Sequence, residues 1–123
     1  VPLKGIVGAG QALQMLGSDD IEFVESPPGV KPGTVAVEVR GDSMYPAYED
    51  GTLLYYSINQ PPETMVNKRC IVKLIDERTF VKILRRGSSS ALWTLQSINT
   101  QYSDMVDVSV LWVSPIEWVK PKI

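Results

Sequence analysis

"TVAVEVRGDSMYPAYEDGTLLYYS", residues 34–57, is the stretch on which the fold turns. Val35, Val37 and Val39 place β-branched side chains at every second position, the period of a strand with one buried face. Arg40-Gly41-Asp42 then ends that strand, because Gly and Asp accept a tight exit, and Pro46 restricts how the chain continues. Glu49 to Gly51 supplies a second turn and "LLYYS" a second strand. Ser43 is therefore expected at a fixed, prominent bend, either as a turn residue or as a nucleophile.

Outward from this stretch the same grammar recurs. "IEFVE" (21–25) alternates as a short strand, and "SPPGVKPG" (26–33) is a rigid loop whose prolines cannot join a sheet ladder. Residues 69–75 and 78–86 are two apolar runs separated by Asp76 and Glu77, the arrangement of a β-hairpin. "ALWTLQS" (91–97) and "DVSVLWVS" (107–114) add strands, the latter followed by "PIEWV". Many short strands with no helix longer than two turns predict a mostly-β domain. Residues 1–20, rich in Gly and small side chains, read as a lead-in with a short amphipathic turn at "QALQML" (11–16), and residues 21–123 as the domain proper.

The chain has 123 residues, 44% of them hydrophobic, enough for one core without staples. Its net charge of −2 offers no basic footprint for a phosphate backbone, so direct nucleic-acid binding by these residues is not expected. Cys70 is the single cysteine, which excludes an internal disulfide and reads as a core thiol in a cytoplasmic protein. No apolar run has the length of a membrane span, and no signal peptide is legible. Histidine is absent, which removes Ser-His-Asp and Cys-His catalysis and most transition-metal sites. Neither a metal nor a cofactor is expected.

A serine nucleophile then needs another base. In "RTFVKILRR" (78–86) the residues sharing a strand face with Lys82 are Phe80 and Leu84. An ammonium on that face is poorly solvated, and desolvation lowers a lysine's pKa toward what a general base requires. Lys73, with Ile71 and Ile75 on its own face, satisfies the same argument, and spacing does not choose between the two. Backbone N–H groups near Ser43 and Met44 are candidate oxyanion donors. Asp42 reads as an ordinary turn residue, and the Arg40-Gly41-Asp42 adhesion tripeptide as coincidence.

"RGDSMYPAYEDGTLLYYS" together with "DERTFVKIL" resembles the self-cleaving C-terminal domain of LexA and related phage repressors. That family carries Gly-Asp-Ser-Met-x-Pro, a later Gly-Asp before a strand, and a Val-Lys pair in the strand after a hairpin turn. The resemblance spans nearly the whole chain. It implies the LexA and signal-peptidase-like β-ribbon fold, with Ser43 as nucleophile and Lys82 rather than Lys73 as general base. "VPLKGIVGAGQ" (1–11) resembles the family's cleavage region, so that Ala9-Gly10 is the scissile bond rather than part of a glycine linker. Where the family has Gly-Asp, this chain has Gly51-Thr52, with Asp50 one place earlier, which alters the local turn.

The resemblance implies a transcriptional repressor whose N-terminal helix-turn-helix module lies outside this chain. The domain is then a homodimer that contacts DNA only through that module, cuts itself during the SOS response to DNA damage, and answers to a RecA filament on single-stranded DNA as co-protease. Three readings compete with it: a non-catalytic dimerisation or partner-binding module, a UmuD-like polymerase accessory protein, and an unrelated β-sandwich binding domain. Membrane signal peptidases share the chemistry but use an anchor not legible here. "DVSVLWVSPIEWV" (107–119) offers Trp112 and Trp118 as core or interface residues.

Overall fold

The computed structural model describes residues 1–8, 12–15 (Met15 by its backbone), 22–42 and 44–122. Among them there is no α-helix, and the chain folds into two sheets of short strands, in agreement with the mostly-β expectation. The strands are β1 (Pro2–Val7), β2 (Gln14–Met15), β3 (Glu22–Phe23), β4 (Val35–Val39), β5 (Leu53–Tyr56), β6 (Arg69–Leu74), β7 (Thr79–Arg86), β8 (Trp93–Gln96), β9 (Met105–Val108), β10 (Val110–Pro115) and β11 (Trp118–Lys120). A 3-10 turn covers Pro62–Met65.

The first sheet runs β11-β5-β4-β1-β2, with β3 also on β1. β1 and β4 pair in parallel, while the other pairs are antiparallel. The lead-in read from residues 1–20 thus contains an inner strand. Its six residues alternate in burial, with Leu3, Gly5 and Val7 inward, a period-two pattern that the glycine partly conceals in the sequence. Gln14–Met15, within the expected amphipathic turn, is strand β2, because its backbone finds ladder partners on Gly5 and Ile6.

The second sheet runs β10-β6-β7-β8-β9, antiparallel throughout. Its centre is the predicted hairpin. The Leu74 N–H donates to Arg78 O at 2.9 Å, and the Asp76 carboxylate accepts from the Arg78 backbone N–H at 3.1 Å and from its Nε at 2.8 Å. Glu77 takes a φ of +74° at this turn.

Both faces of the second sheet are covered. Ile71 and Val81 join Val7, Leu13, Val37, Val39, Met44, Tyr48 and Leu54 in a core between the sheets. Cys70, Val72, Phe80, Leu84, Trp93 and Leu95 form a second core on the opposite face. Each fully buried Val, Leu or Ile stabilises by roughly 1.5–3 kcal/mol. Lys82 lies on the second face, with the apolar residues that alternation assigned to it.

Candidate active site

Lys82 is 6% exposed. Along β7 it sits between Phe80 and Leu84, and its Nζ is 5.9 Å from the Phe80 ring centroid. Across β6 its register partner is Cys70. On the other side the register Ile83↔Gln96 continues to Ser97, whose Oγ accepts a hydrogen bond from Lys82 Nζ at 3.0 Å. Burial lowers the Lys82 pKa, and the nearby Asp104 carboxylate partly opposes that shift. The site therefore favours a neutral amine more than water does.

Lys73 differs in its surroundings. It is half-buried, its Nζ lies 6.0 Å from the Trp112 ring centroid, and Ile75 on its face is exposed. Packing thus separates two lysines that spacing left equivalent. Cys70 is fully buried, and desolvation pushes its thiol up to about 12, so it is a core residue and not a nucleophile.

Ser43, Ala9 and Gly10 lie outside the described residues. The described residues on either side of Ser43 are held by hydrogen bonds. Gly41 takes a φ of +79°, a conformation that favours glycine, and its N–H donates to Asp50 Oδ1 at 2.9 Å. Asp50, one place before Gly51, therefore shapes the bend where the family's usual Asp would follow that glycine. The Asp42 carbonyl accepts from Tyr45 N–H at 3.0 Å and from Asn99 Nδ2 at 2.8 Å, and Asp42 Oδ1 accepts from the Tyr102 hydroxyl at 2.6 Å. That bond to a carboxylate raises the Tyr102 pKa. Met44 is buried in the core between the sheets, and its carbonyl accepts from Tyr48 N–H at 2.8 Å.

The sequence matches the Peptidase S24-like family over residues 3–109. The chain belongs to that family. Its members include the C-terminal domains of LexA, UmuD and phage repressors, and it is a family of serine peptidases. A search of the curated proteins matches none.

Within this Peptidase S24-like domain, the limbs flanking residues 9–11 are held against the strands of interest. Arg40 N–H donates to Val7 O at 2.8 Å, and Leu13 N–H donates to Thr79 O at 2.6 Å. Arg40 is three residues before Ser43, and Thr79 three before Lys82. Val7 and Leu13 are both buried in the core between the sheets. Ser97, Asn99, Tyr102 and Asp104 were not anticipated from the sequence; continuing the register of the hairpin's second strand across to "WTLQS" would have found Ser97.

Among the described residues no group of His, Cys, Asp or Glu could hold a metal ion, and no helix is long and apolar enough to cross a membrane. Trp112 is half-buried against the core between the sheets, whereas Trp118, on edge strand β11, is exposed.

Proposed function

We propose that this Peptidase S24-like domain cuts its own chain at Ala9-Gly10 with a Ser43-Lys82 dyad. The observation that carries the reading is the buried Lys82 amine, with its lowered pKa and its hydrogen bond to Ser97 Oγ. The anchoring of Val7 at Arg40 and of Leu13 at Thr79 supports it further, because it brings both flanks of the Ala9-Gly10 segment to the strands that lead to Ser43 and Lys82.

The chemistry is intramolecular acyl transfer. Lys82 takes the Ser43 hydroxyl proton as Oγ attacks the Ala9 carbonyl carbon, with a backbone N–H such as that of Met44 receiving the developing oxyanion. Collapse breaks the Ala9–Gly10 bond, and the lysine proton passes to the departing Gly10 amine. Water then hydrolyses the Ala9 ester, which restores Ser43 and leaves a carboxylate on Ala9. Tethering makes the step unimolecular, so positioning removes much of the barrier.

In its cellular setting the domain serves as the C-terminal part of a LexA-like or phage repressor. It dimerises the repressor, and cleavage separates it from the DNA-binding module when RecA filaments on single-stranded DNA promote the reaction. The family's other members and the motif residues support this setting, and exposed Trp118 and Val119 on β11 leave apolar surface for a second copy. Incubation across about pH 7 to 10, read by intact mass, tests the chemistry. Fragments 1–9 and 10–123 should accumulate faster as pH rises, and should vanish in Ser43→Ala and Lys82→Ala. Folded protein that stays intact at every pH, even with RecA filaments, would move the reading to a non-catalytic dimerisation module.

A further inference from the structure

We propose that the loop joining β8 to β9, residues 97–104, is a positioning clamp that holds both halves of the dyad, with Ser97 on Lys82 and Asn99 with Tyr102 on Asp42, the residue before Ser43. The inference rests on the Ser-Lys reading above. These residues orient catalytic groups without touching the scissile bond.

The base side of the clamp follows from the inventory of donors. A serine hydroxyl has one proton, and Ser97 Oγ donates it to Ser103 O at 2.7 Å. Its lone pairs are what remain for the Lys82 Nζ–H at 3.0 Å. A neutral amine has two N–H bonds and one lone pair. Committing one N–H to Ser97 restricts rotation about the Cε–Nζ bond and so aims the lone pair that must take a proton. Ser97 is itself fixed, because its N–H donates to Asp104 Oδ1 at 2.9 Å.

On the nucleophile side, Asn99 is a cross-link with a defined orientation. Its Oδ1 accepts from Gln101 N–H at 3.0 Å while its Nδ2 donates to Asp42 O at 2.8 Å, and its side chain is largely buried. Tyr102 adds a second hold, donating to Asp42 Oδ1. Two residues of one short loop thus grip Asp42 while its first residue grips Lys82. In the register of the sheet the loop begins directly opposite the lysine, so the tie spans one inter-strand spacing. An angular or sub-ångström change in the loop therefore changes the approach of base to nucleophile, an error that typically costs about 100-fold for a displacement near 1 Å.

The groups facing Lys82 define the expected pH behaviour. Among the described residues they are Phe80 and Leu84 on its own strand, the Cys70 thiol from β6, Ser97 just beyond the end of β8, and the Asp104 carboxylate from the loop. The thiol stays neutral over the working range, so among the described residues Asp104 is the charge and Ser97 the acceptor that favour the ammonium. Removing either lowers the pH at which Lys82 loses its proton.

The test measures self-cleavage of the full chain against pH in the wild type, Ser97→Ala, Ser97→Thr, Tyr102→Phe and Asp104→Asn, with the Lys82 titration followed by NMR of labelled lysine. Ser97→Ala should lower the plateau rate by about 10- to 100-fold and move the midpoint to lower pH, and Ser97→Thr should restore both. Tyr102→Phe should lower the plateau and leave the midpoint in place, while Asp104→Asn moves the midpoint downward. Wild type that cleaves, beside a folded Ser97→Ala with the same plateau and midpoint, would overturn the clamp alone. Wild type that never cleaves overturns the dyad reading and the clamp with it.

Discussion

Gly5 and Leu13 stand so close across the β1–β2 pair that a Cβ on Gly5 would lie 2.5 Å from Leu13 Cδ2 and 2.6 Å from the Gln14 carbonyl oxygen. The second contact is with backbone, so a side-chain rotation cannot relieve it. Gly5→Ala should push the two limbs apart at the hairpin that contains the Ala9-Gly10 bond. We expect a loss of about 1–3 kcal/mol in stability from the overpacking. Cleavage should fall by at least about tenfold, because the segment is held less often near the strands that lead to the dyad. Amide exchange should quicken at β1 and β2 and stay slow in β6 and β7. Wild-type cleavage in a folded Gly5→Ala chain would show that docking of this hairpin does not limit the reaction.

Lys82 gives stability an unusual pH dependence. Because burial depresses its pKa in the folded state, the unfolded chain binds this proton more tightly. Below the folded pKa both states carry the proton, and the full cost of burying an ammonium weighs on the fold. As pH rises from the folded pKa toward the unfolded value of about 10.4, that cost is relieved and stability increases. Tyr55 and Tyr56, whose phenols burial pushes up, act in the opposite sense above about pH 10. Lys82→Met isolates the lysine, since it keeps the stem and removes the charge. The stability advantage of Lys82→Met over wild type, from urea titrations at successive pH values, should shrink as pH rises through that window. Its cleavage rate should fall by about 10²- to 10⁴-fold, the usual worth of a general base. An advantage independent of pH would mean that Lys82 carries no shift.

Cys70 should be chemically silent in the native protein. It is fully buried and its pKa is pushed up to about 12, so at pH 8 only about one thiol in ten thousand is ionised. An aromatic disulfide reagent should release no thiol signal from folded protein and one equivalent after denaturation. Rapid reaction without denaturant would show that the core around Cys70 and Lys82 opens far more often than its packing implies.

Several of these features were legible in the sequence because they rest on local periodicity. The alternation of Val35, Val37 and Val39, the Asp76-Glu77 break between two apolar runs, and the apolar neighbours of Lys82 are all patterns within one strand or one hairpin. Strand β1 was harder to see, because Gly5 interrupts its inward row and a residue chosen for close approach reads as a linker. The loop contacts were hidden for a different reason. Asn99 reaches Asp42 across 57 positions and Tyr102 reaches it across 60, and no local rule places side chains so far apart in the chain. Ser97 was an intermediate case, concealed only until the register of β7 and β8 was followed one residue further. Periodicity alone did not separate Lys73 from Lys82, since both alternate with apolar neighbours; the family motif pointed to Lys82, and packing buries Lys82 while leaving Lys73 half-buried.

The β6–β7 hairpin carries one locally unfavourable residue whose replacement should stabilise the domain. Glu77 holds a φ of +74° in the turn, a conformation that costs an L-residue roughly 1–2 kcal/mol and glycine much less. Its N–H donates to Leu74 O at 2.9 Å, a backbone bond that glycine retains. Glycine loses more backbone entropy on folding, by roughly 0.5–1 kcal/mol, so the net gain is smaller than the strain relieved. Glu77→Gly should raise stability by up to about 1 kcal/mol in a denaturant titration. Asp76→Ala should do the reverse, because it removes the carboxylate that accepts from the Arg78 N–H and Nε at the same turn. Neither change touches Lys82, Ser97 or Asp42, so cleavage should keep its rate and pH profile. A Glu77→Gly chain less stable than wild type would mean that the Glu77 side chain contributes more to this turn than its backbone strain removes.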